Sequence, residues 1–158
     1  MARGPILIVE DETLLGANLR EYLQRRGWDA QLAHSGEAAM QKFAAGSFSA
    51  VLLDYGLPDL NGFQLLGEMR AQDPFCPCVM MTGSPDDAIA TRARTLRVEH
   101  LLYKPFSLAE MEDCLAECAS VGSIGRGGLP MGGEILTRNL GAPRRAPTVP
   151  PLFRGGRI

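Results

Sequence analysis

The sequence predicts an α/β fold: a five-stranded parallel sheet with helices on both faces, wound as a doubly wound three-layer sandwich. Short apolar runs with little polar alternation recur along the chain, as expected of strands buried on both faces. Each run is followed by a segment of helical periodicity, so successive strands are joined by crossover helices and lie parallel. An apolar content of 46% over 158 residues is enough for one such core.

The five strands differ in strength. Three of them are built on continuous apolar runs: residues 6–9, residues 50–54, where the run ends at Asp54, and residues 78–82, where it ends at Thr82. Residues 29–33 form a weaker run that we place nearer a sheet edge, and residues 100–103 form the last strand.

The helices are predicted from apolar spacing and from residues that start or stop helices. They span residues 12–26, 35–45, 62–72, 84–96 and 107–119. Gly27 and Gly46 stop the first two. Ser84 followed by Pro85 predicts the start of the fourth helix, and the sequence Ser-x-x-Glu at Ser107 predicts a capping box for the fifth.

Charge divides the chain into a body, residues 1–119, and a tail, residues 120–158. Up to residue 118 there are 10 basic and 17 acidic residues, and beyond it 6 Arg and a single acid. The acidic body argues against direct DNA binding by this domain. Nine Gly and five Pro beyond residue 118 predict a disordered tail, with an arginine-rich contact to nucleic acid or an acidic partner as the alternative. No output domain is recognisable, which predicts a stand-alone domain.

Four cysteines raise the question of a zinc site. They are Cys76, Cys78, Cys114 and Cys118. Neither spacing is usual for structural zinc, and we expect buried free thiols instead. No run reaches the ~18 apolar residues of a membrane span, and no signal peptide precedes the first acids, so a cytoplasmic protein is expected.

Polar residues gather where the strands end. The first strand delivers Glu10, Asp11 and Glu12, the third ends at Asp54, the fourth at Thr82, and the fifth is followed by Lys104. The carboxyl ends of parallel strands form the ligand-binding edge of a doubly wound sheet, so these side chains converge.

Several carboxylates at one edge repel each other, and a hard divalent cation relieves that repulsion. Mg²⁺ binds few protein carboxylates and shares its remaining positions with water and phosphate oxygens. The set therefore predicts a magnesium-assisted phosphoryl site in which Asp54 is the nucleophile, Lys104 holds a phosphate oxygen and Thr82 donates a hydrogen bond.

The residues resemble those of a response-regulator receiver domain, the phosphoacceptor module of two-component signalling, over residues 5–119. The matching stretches are ILIVEDE, VLLDYGLPDLNGF, VMMTGS and YKPF, with 28 residues from Asp54 to Thr82 and 22 from Thr82 to Lys104. The resemblance implies a strand order of 2-1-3-4-5 and a cis peptide bond between Lys104 and Pro105.

The resemblance also assigns roles. It implies that Asp54 accepts a phosphoryl group from a sensor histidine kinase or histidine phosphotransfer protein docked near the first helix. Glu10, Asp11, Asp54 and the backbone carbonyl of Gly56 would hold Mg²⁺. The product is an altered surface for a downstream effector protein, so the domain is a signal carrier and no conventional enzyme. Homodimerisation stays open.

The switch residues depart from the family pattern. Many receivers carry an aromatic residue three positions before the lysine, where this chain has Leu101. The aromatic residue is Tyr103, so Thr82 and Tyr103 are the expected switch residues, together with the loop after Thr82.

Three other functions use the same fold. A degenerate receiver would act as an unphosphorylated interaction module. A magnesium-dependent phosphatase for small molecules would turn over a phosphomonoester, although such enzymes place a further acid near the nucleophile where Tyr55 and Gly56 follow Asp54 here. A flavin carrier would need a phosphate-cradling loop after the first strand, where this chain has acids.

Overall fold

The computed structural model describes residues 3–127. Five parallel strands form one sheet in the order β2-β1-β3-β4-β5. Their bounds are β1 Arg3–Val9, β2 Trp28–Ala33, β3 Ala50–Asp54, β4 Cys78–Thr82 and β5 His100–Tyr103. The predicted fold class, strand order and edge position of the second strand are confirmed.

Five helices connect and cover the strands. They are α1 Thr13–Arg25, α2 Gly36–Ala45, α3 Gly62–Gln72, α4 Asp87–Thr95 and α5 Leu108–Gly127. Buried residues of α1 and α5 pack on one face of the sheet, and those of α2, α3 and α4 pack on the other. Both faces are therefore covered, as in a three-layer sandwich.

The central strand shows why its sequence lacks polar alternation. Leu52 faces the layer of α1 and α5, whereas Val51 and Leu53 face the layer of α2, α3 and α4. All three side chains are fully buried. Because each buried aliphatic side chain stabilises the fold by ~1.5–3 kcal/mol, both sides of the strand favour apolar residues.

Local signals explain where most helices begin and end. Ser35 caps α2 by accepting a hydrogen bond from the backbone N–H of Ala38. Asn61 and Gln64 form a reciprocal capping box at the start of α3. Gly27, with a φ of 92°, turns the chain from α1 into β2, a conformation that glycine adopts at low cost.

The fourth helix starts later than predicted. Its cap is Asp86, whose carboxylate accepts from the backbone N–H of Ala88, and the helix begins at Asp87. Ser84 and Pro85 lie in the preceding loop, where the Ser84 backbone N–H donates to Thr82 Oγ. That bond keeps Ser84 with the end of β4 and moves the cap to Asp86.

The fifth helix is longer than predicted. It continues to Gly127, so its last eight residues belong to the segment that we assigned to a disordered tail. No proline occurs between Ser107 and Pro130, so none stops the helix at the predicted end. Residues 128–158 lie outside the described residues, and the expectation of disorder there stays a prediction.

All four cysteines are free, and Cys76, Cys78 and Cys118 are buried, in agreement with the prediction of buried thiols. Burial raises the pKa of the Cys114 thiol to about 12 and that of Cys118 well above its usual range. Among the described residues, no helix has the length and apolar character needed to cross a membrane.

Candidate functional site

The alternation of side chains between the two faces of the sheet places three charged residues on the same side. Glu10, Asp54 and Lys104 each follow, by two positions, a strand residue that faces α1 and α5. Since strand side chains alternate between faces, the three point to one pocket beyond the strand ends.

Contacts confirm that these side chains converge. Lys104 Nζ donates to Glu10 Oε1 at 3.0 Å and lies 3.4 Å from Asp54 Oδ1. Glu10 is 1% exposed and Asp54 6% exposed, whereas Asp11 is exposed at the rim. One ammonium group therefore bridges two buried carboxylates.

A third carboxylate completes a cluster that fits a metal ion. Oxygen atoms of Glu10, Asp11 and Asp54 lie within 4.8 Å of one another, and no other group of three or more acidic, histidine or cysteine ligands converges in this way within residues 3–127. Carboxylate oxygens are the ligands that Mg²⁺ prefers.

The electrostatics of the pocket favour an additional cation. Burial raises the pKa of Glu10 to about 7, and the neighbouring charge of Asp54 adds to this effect. Burial alone would lower the pKa of Lys104, but its hydrogen bond to Glu10 and the charge of Asp54 raise it overall. Lys104 therefore stays protonated, and carboxylates still outnumber it.

Two contacts that the sequence did not reveal fix Glu10. The backbone N–H of Glu12 donates to Glu10 Oε2 at 3.1 Å, and His34 Nδ1 lies 3.0 Å from the Glu10 carbonyl oxygen. His34 follows β2, the direct neighbour of β1, so the strand order would have indicated this position.

Thr82 is buried at the end of β4, as predicted. Its hydroxyl accepts from the Ser84 backbone N–H at 3.1 Å and lies 3.5 Å from the Ser84 carbonyl oxygen. The hydroxyl is thus engaged with the loop after β4, and a role toward a phosphoryl group stays a prediction.

Tyr103 points to the opposite face of the sheet from Lys104. Burial raises the pKa of its phenol, to which the charge of Asp87 adds and which the charge of Arg94 opposes. Asp87 and Arg94 are both residues of α4. Leu101 is partly buried on the same face.

Backbone hydrogen bonds join the two ends of the loop after Asp54. Gly56 pairs with Asn61 in an isolated antiparallel bridge, and the Gly62 backbone N–H donates to the Tyr55 carbonyl at 2.8 Å. The Gly56 backbone N–H also lies 3.4 Å from Asp54 Oδ1. The carbonyl of Gly56 as a metal ligand remains a prediction.

The fold and the pocket together define a class of protein. A doubly wound sheet with a buried aspartate, an acidic pair and a lysine at the carboxyl edge is the arrangement of a phosphoacceptor module. Residues 6–116 match the family described as response regulator receiver domain, and the chain belongs to this family.

Known relatives agree with this assignment. The transcriptional regulatory protein BasR of Escherichia coli is 35% identical over 108 residues, which cover 67% of this chain and 48% of BasR. The non-phosphorylated HemR receiver domain of Leptospira biflexa is 29% identical with a TM-score of 0.70, covering 75% of this chain and 95% of that domain.

The response regulator protein TrrA of Thermotoga maritima was solved in complex with Mg²⁺ and BeF. It is 25% identical with a TM-score of 0.66, and the match covers 73% of this chain and 99% of TrrA. The chain spans about half the length of the curated relatives that it matches.

Proposed function

We propose that this receiver domain accepts a phosphoryl group on Asp54 in a Mg²⁺-dependent reaction and changes a surface that a downstream effector reads. The observation that carries the proposal is the contact set of Lys104, which touches both Glu10 and Asp54 in a pocket rimmed by Asp11. The Mg²⁺–BeF complex of the related TrrA supports the choice of metal.

The pocket residues divide the chemistry between them. Bound Mg²⁺ would neutralise phosphoryl oxygens and be held by Glu10, Asp11, Asp54 and the Gly56 carbonyl. The Asp54 carboxylate attacks phosphorus and forms an acyl phosphate, while the phosphodonor leaves with the bonding electron pair. Lys104 already points at Asp54 and stabilises the added negative charge.

A groove beside the pocket fits the approach of a phosphodonor protein. It has a volume of about 380 Å³ and is lined by Glu12, Leu14, Leu15, Asn18, Lys104, Pro105 and Phe106. Leu14 is 71% exposed and would offer a partner an apolar contact at this groove. A histidine kinase or phosphotransfer protein in the cytoplasm is the proposed occupant.

The readout would occur on the other face of the sheet. Thr82 binds the loop that leads into α4, and the charges of Asp87 and Arg94 on α4 influence the Tyr103 phenol. A phosphoryl group that drew Thr82 Oγ away from Ser84 would release that loop, and the surface of α4 would change for an effector protein.

Incubation with acetyl phosphate and Mg²⁺ tests the proposal without a cognate kinase. We expect one phosphoryl group per molecule by intact-mass spectrometry, complete loss in Asp54→Asn, and strong reduction in Asp11→Ala or with a chelator. Glu12→Ala, which removes an adjacent exposed acid outside the cluster, is the matched control and should be modified normally.

Other outcomes identify the rival functions. A folded wild-type protein that binds Mg²⁺ but stays unmodified by acetyl phosphate and by histidine kinases would be a degenerate receiver. Release of more than one equivalent of phosphate from a phosphomonoester would indicate a phosphatase. A flavin that copurifies with the protein would indicate a carrier.

A further inference from the structure

Asp59 links the loop after the phosphoacceptor strand to a neighbouring helix. Its Oδ1 accepts from the Gly36 backbone N–H at 2.9 Å, and its Oδ2 accepts from the Glu37 backbone N–H at 3.0 Å. These two donors lie at the start of α2, where the helix itself offers them no acceptor. The hydrogen bond from Gly36, with that from Glu37, lowers the pKa of Asp59, so the carboxylate stays ionised.

Close packing supports the same contact. A Cβ atom at position 36 would overlap the side chain of Leu60, so any other residue there would have to displace Leu60 from α2. Leu60 packs against the core between α2 and α3. The loop is thus held against α2 by a carboxylate and an adjacent apolar side chain.

The position of the loop matters because its other side carries the pocket. Asn61, two residues after Asp59, pairs with Gly56 across the loop. Gly56 in turn lies two residues after Asp54, with its N–H directed at Asp54 Oδ1. A displacement of Asp59 from α2 would therefore shift the backbone beside the phosphoacceptor.

We propose that Asp59 is a positioning residue for the phosphoacceptor site, which holds the Gly56 backbone at the metal position by tying the loop to the start of α2. Asp59 touches neither the reacting atoms nor the acidic cluster, and it acts through the loop backbone. The proposal rests on the proposed function, since it assigns Gly56 to the magnesium site.

Titration calorimetry with Mg²⁺ alone, without phosphodonor, tests this role. In Asp59→Ala we expect about tenfold weaker Mg²⁺ binding, by analogy with the loss of groups that orient metal ligands. The Mg²⁺ affinity of Asp59→Asn should lie between those of Asp59→Ala and wild type, because its amide oxygen still accepts one of the two hydrogen bonds. Glu37→Gln removes an exposed charge from the same helix turn without touching the link, and it should bind as wild type does.

Two further measurements separate positioning from general stability. Amide hydrogen exchange should accelerate at Gly56 as well as at Gly36 in the Asp59 variants, and the phosphorylation rate should recover at high Mg²⁺ concentration. If Asp59→Ala melts earlier but binds Mg²⁺ as Glu37→Gln does, the positioning role is wrong. If Asp59→Ala does not fold, the Mg²⁺ affinity of Asp59→Asn is compared with that of Glu37→Gln instead.

The two proposals fail in different ways. A wild-type protein that neither binds Mg²⁺ nor accepts a phosphoryl group overturns the proposed function and this inference with it. A wild-type protein that does both, beside Asp59 variants that are unimpaired, overturns the inference alone.

Discussion

Glycine at position 56 leaves open space near Asp54, the proposed phosphoacceptor. A Cβ atom built on Gly56 has no neighbouring atom within 4 Å, and the residue is exposed two positions after Asp54. An acyl phosphate on Asp54 would therefore be accessible to water from this side. The size of this one side chain should affect how long the phosphoryl group persists.

Replacing Gly56 by leucine should slow hydrolysis of the acyl phosphate. A Cβ atom at this position meets no neighbour, and we expect the larger apolar side chain to restrict the access of water and lengthen the lifetime by about tenfold, or ~1.4 kcal/mol in activation free energy. The lifetime is measured from the loss of phosphoprotein with time after the phosphodonor is removed. Gly67→Leu, at another open glycine on α3, is the control. Equal lifetimes in both variants would contradict the prediction.

At the level of residues, the sequence predicted the pocket but missed its supports. Glu10, Asp54 and Lys104 follow recognisable strands, so parallel topology alone brings them together. Asp59 and His34 act on backbone groups of segments more than 20 residues away in sequence. Such contacts depend on the packing of two loops, which no local pattern encodes.

Among the elements, α4 is held by few apolar contacts. Its nine residues bury only Ile89 and Ala93, and its N-terminal cap is the side chain of Asp86. A short helix with such limited burial depends on its cap and moves at low cost. The proposed switch at Thr82 would therefore meet little resistance from α4.

Asp86→Ala should loosen α4 locally. Loss of the cap costs ~1 kcal/mol, and amide exchange in α4 should accelerate accordingly while the other helices stay protected. Ser84→Ala is the matched comparison, because Ser84 is the cap that the sequence favoured and its side chain makes no capping contact at the start of this helix. A larger effect at Ser84 than at Asp86 would contradict the observed helix start.

The two misplaced helix ends have physical causes. At α4, Ser84, Pro85 and Asp86 each satisfy rules for a helix start, but the Ser84 backbone N–H makes a local hydrogen bond back to Thr82 Oγ, and the Asp86 side chain caps the helix. At α5, glycines beyond residue 119 suggested a stop, but glycine only weakens a helix, and the first proline is at position 130. Apolar periodicity predicted that these helices exist, but it did not predict where α4 begins or where α5 ends.

At the scale of the described residues 3–127, three helices end in basic residues on the edge of the sheet opposite the pocket. Arg25, Lys42 and Arg70 occupy the last turns of α1, α2 and α3. Because the helices run opposite to the strands, those turns lie at the far edge of the sheet, where they also complement the helix dipoles. The pocket edge is left negative, which attracts a divalent cation.

Away from the pocket, a buried carboxylate on α5 joins several segments of the fold. Glu112 accepts from Arg3 Nη1 at 2.8 Å, from Arg26 Nε at 2.5 Å and from Trp28 Nε1 at 3.1 Å. These partners belong to β1, the end of α1 and β2, so one side chain connects α5 to three other segments. Burial would raise the pKa of Glu112, but the bonds from Trp28 and Arg26 lower it below its ordinary value of 4.5.

Glu112→Gln should destabilise the fold in a pH-dependent way. At about pH 7 we expect a loss of ~1–2 kcal/mol in the free energy of unfolding, since the charge-assisted bonds are lost while Gln still accepts from Trp28. A lowered folded pKa means that the wild-type advantage is present above the unfolded pKa. It disappears as the pH falls through the folded value.

Urea unfolding from neutral to acidic pH measures this difference. Asp113→Asn, an exposed neighbour on α5, removes the same charge and should change the free energy of unfolding little. A gap between wild type and Glu112→Gln that stayed constant down to the acid limit of folding would show that the charge of Glu112 does not stabilise the protein.

Tyr103 and Lys104 are consecutive residues that serve opposite faces of the sheet. The phenol of Tyr103 is influenced by charges on α4, and the ammonium group of Lys104 contacts the carboxylates of the pocket. The proposed site of phosphorylation and the opposite face of the sheet are therefore joined by a single backbone unit. A small rotation at the end of β5 would move side chains on both faces of the sheet at once.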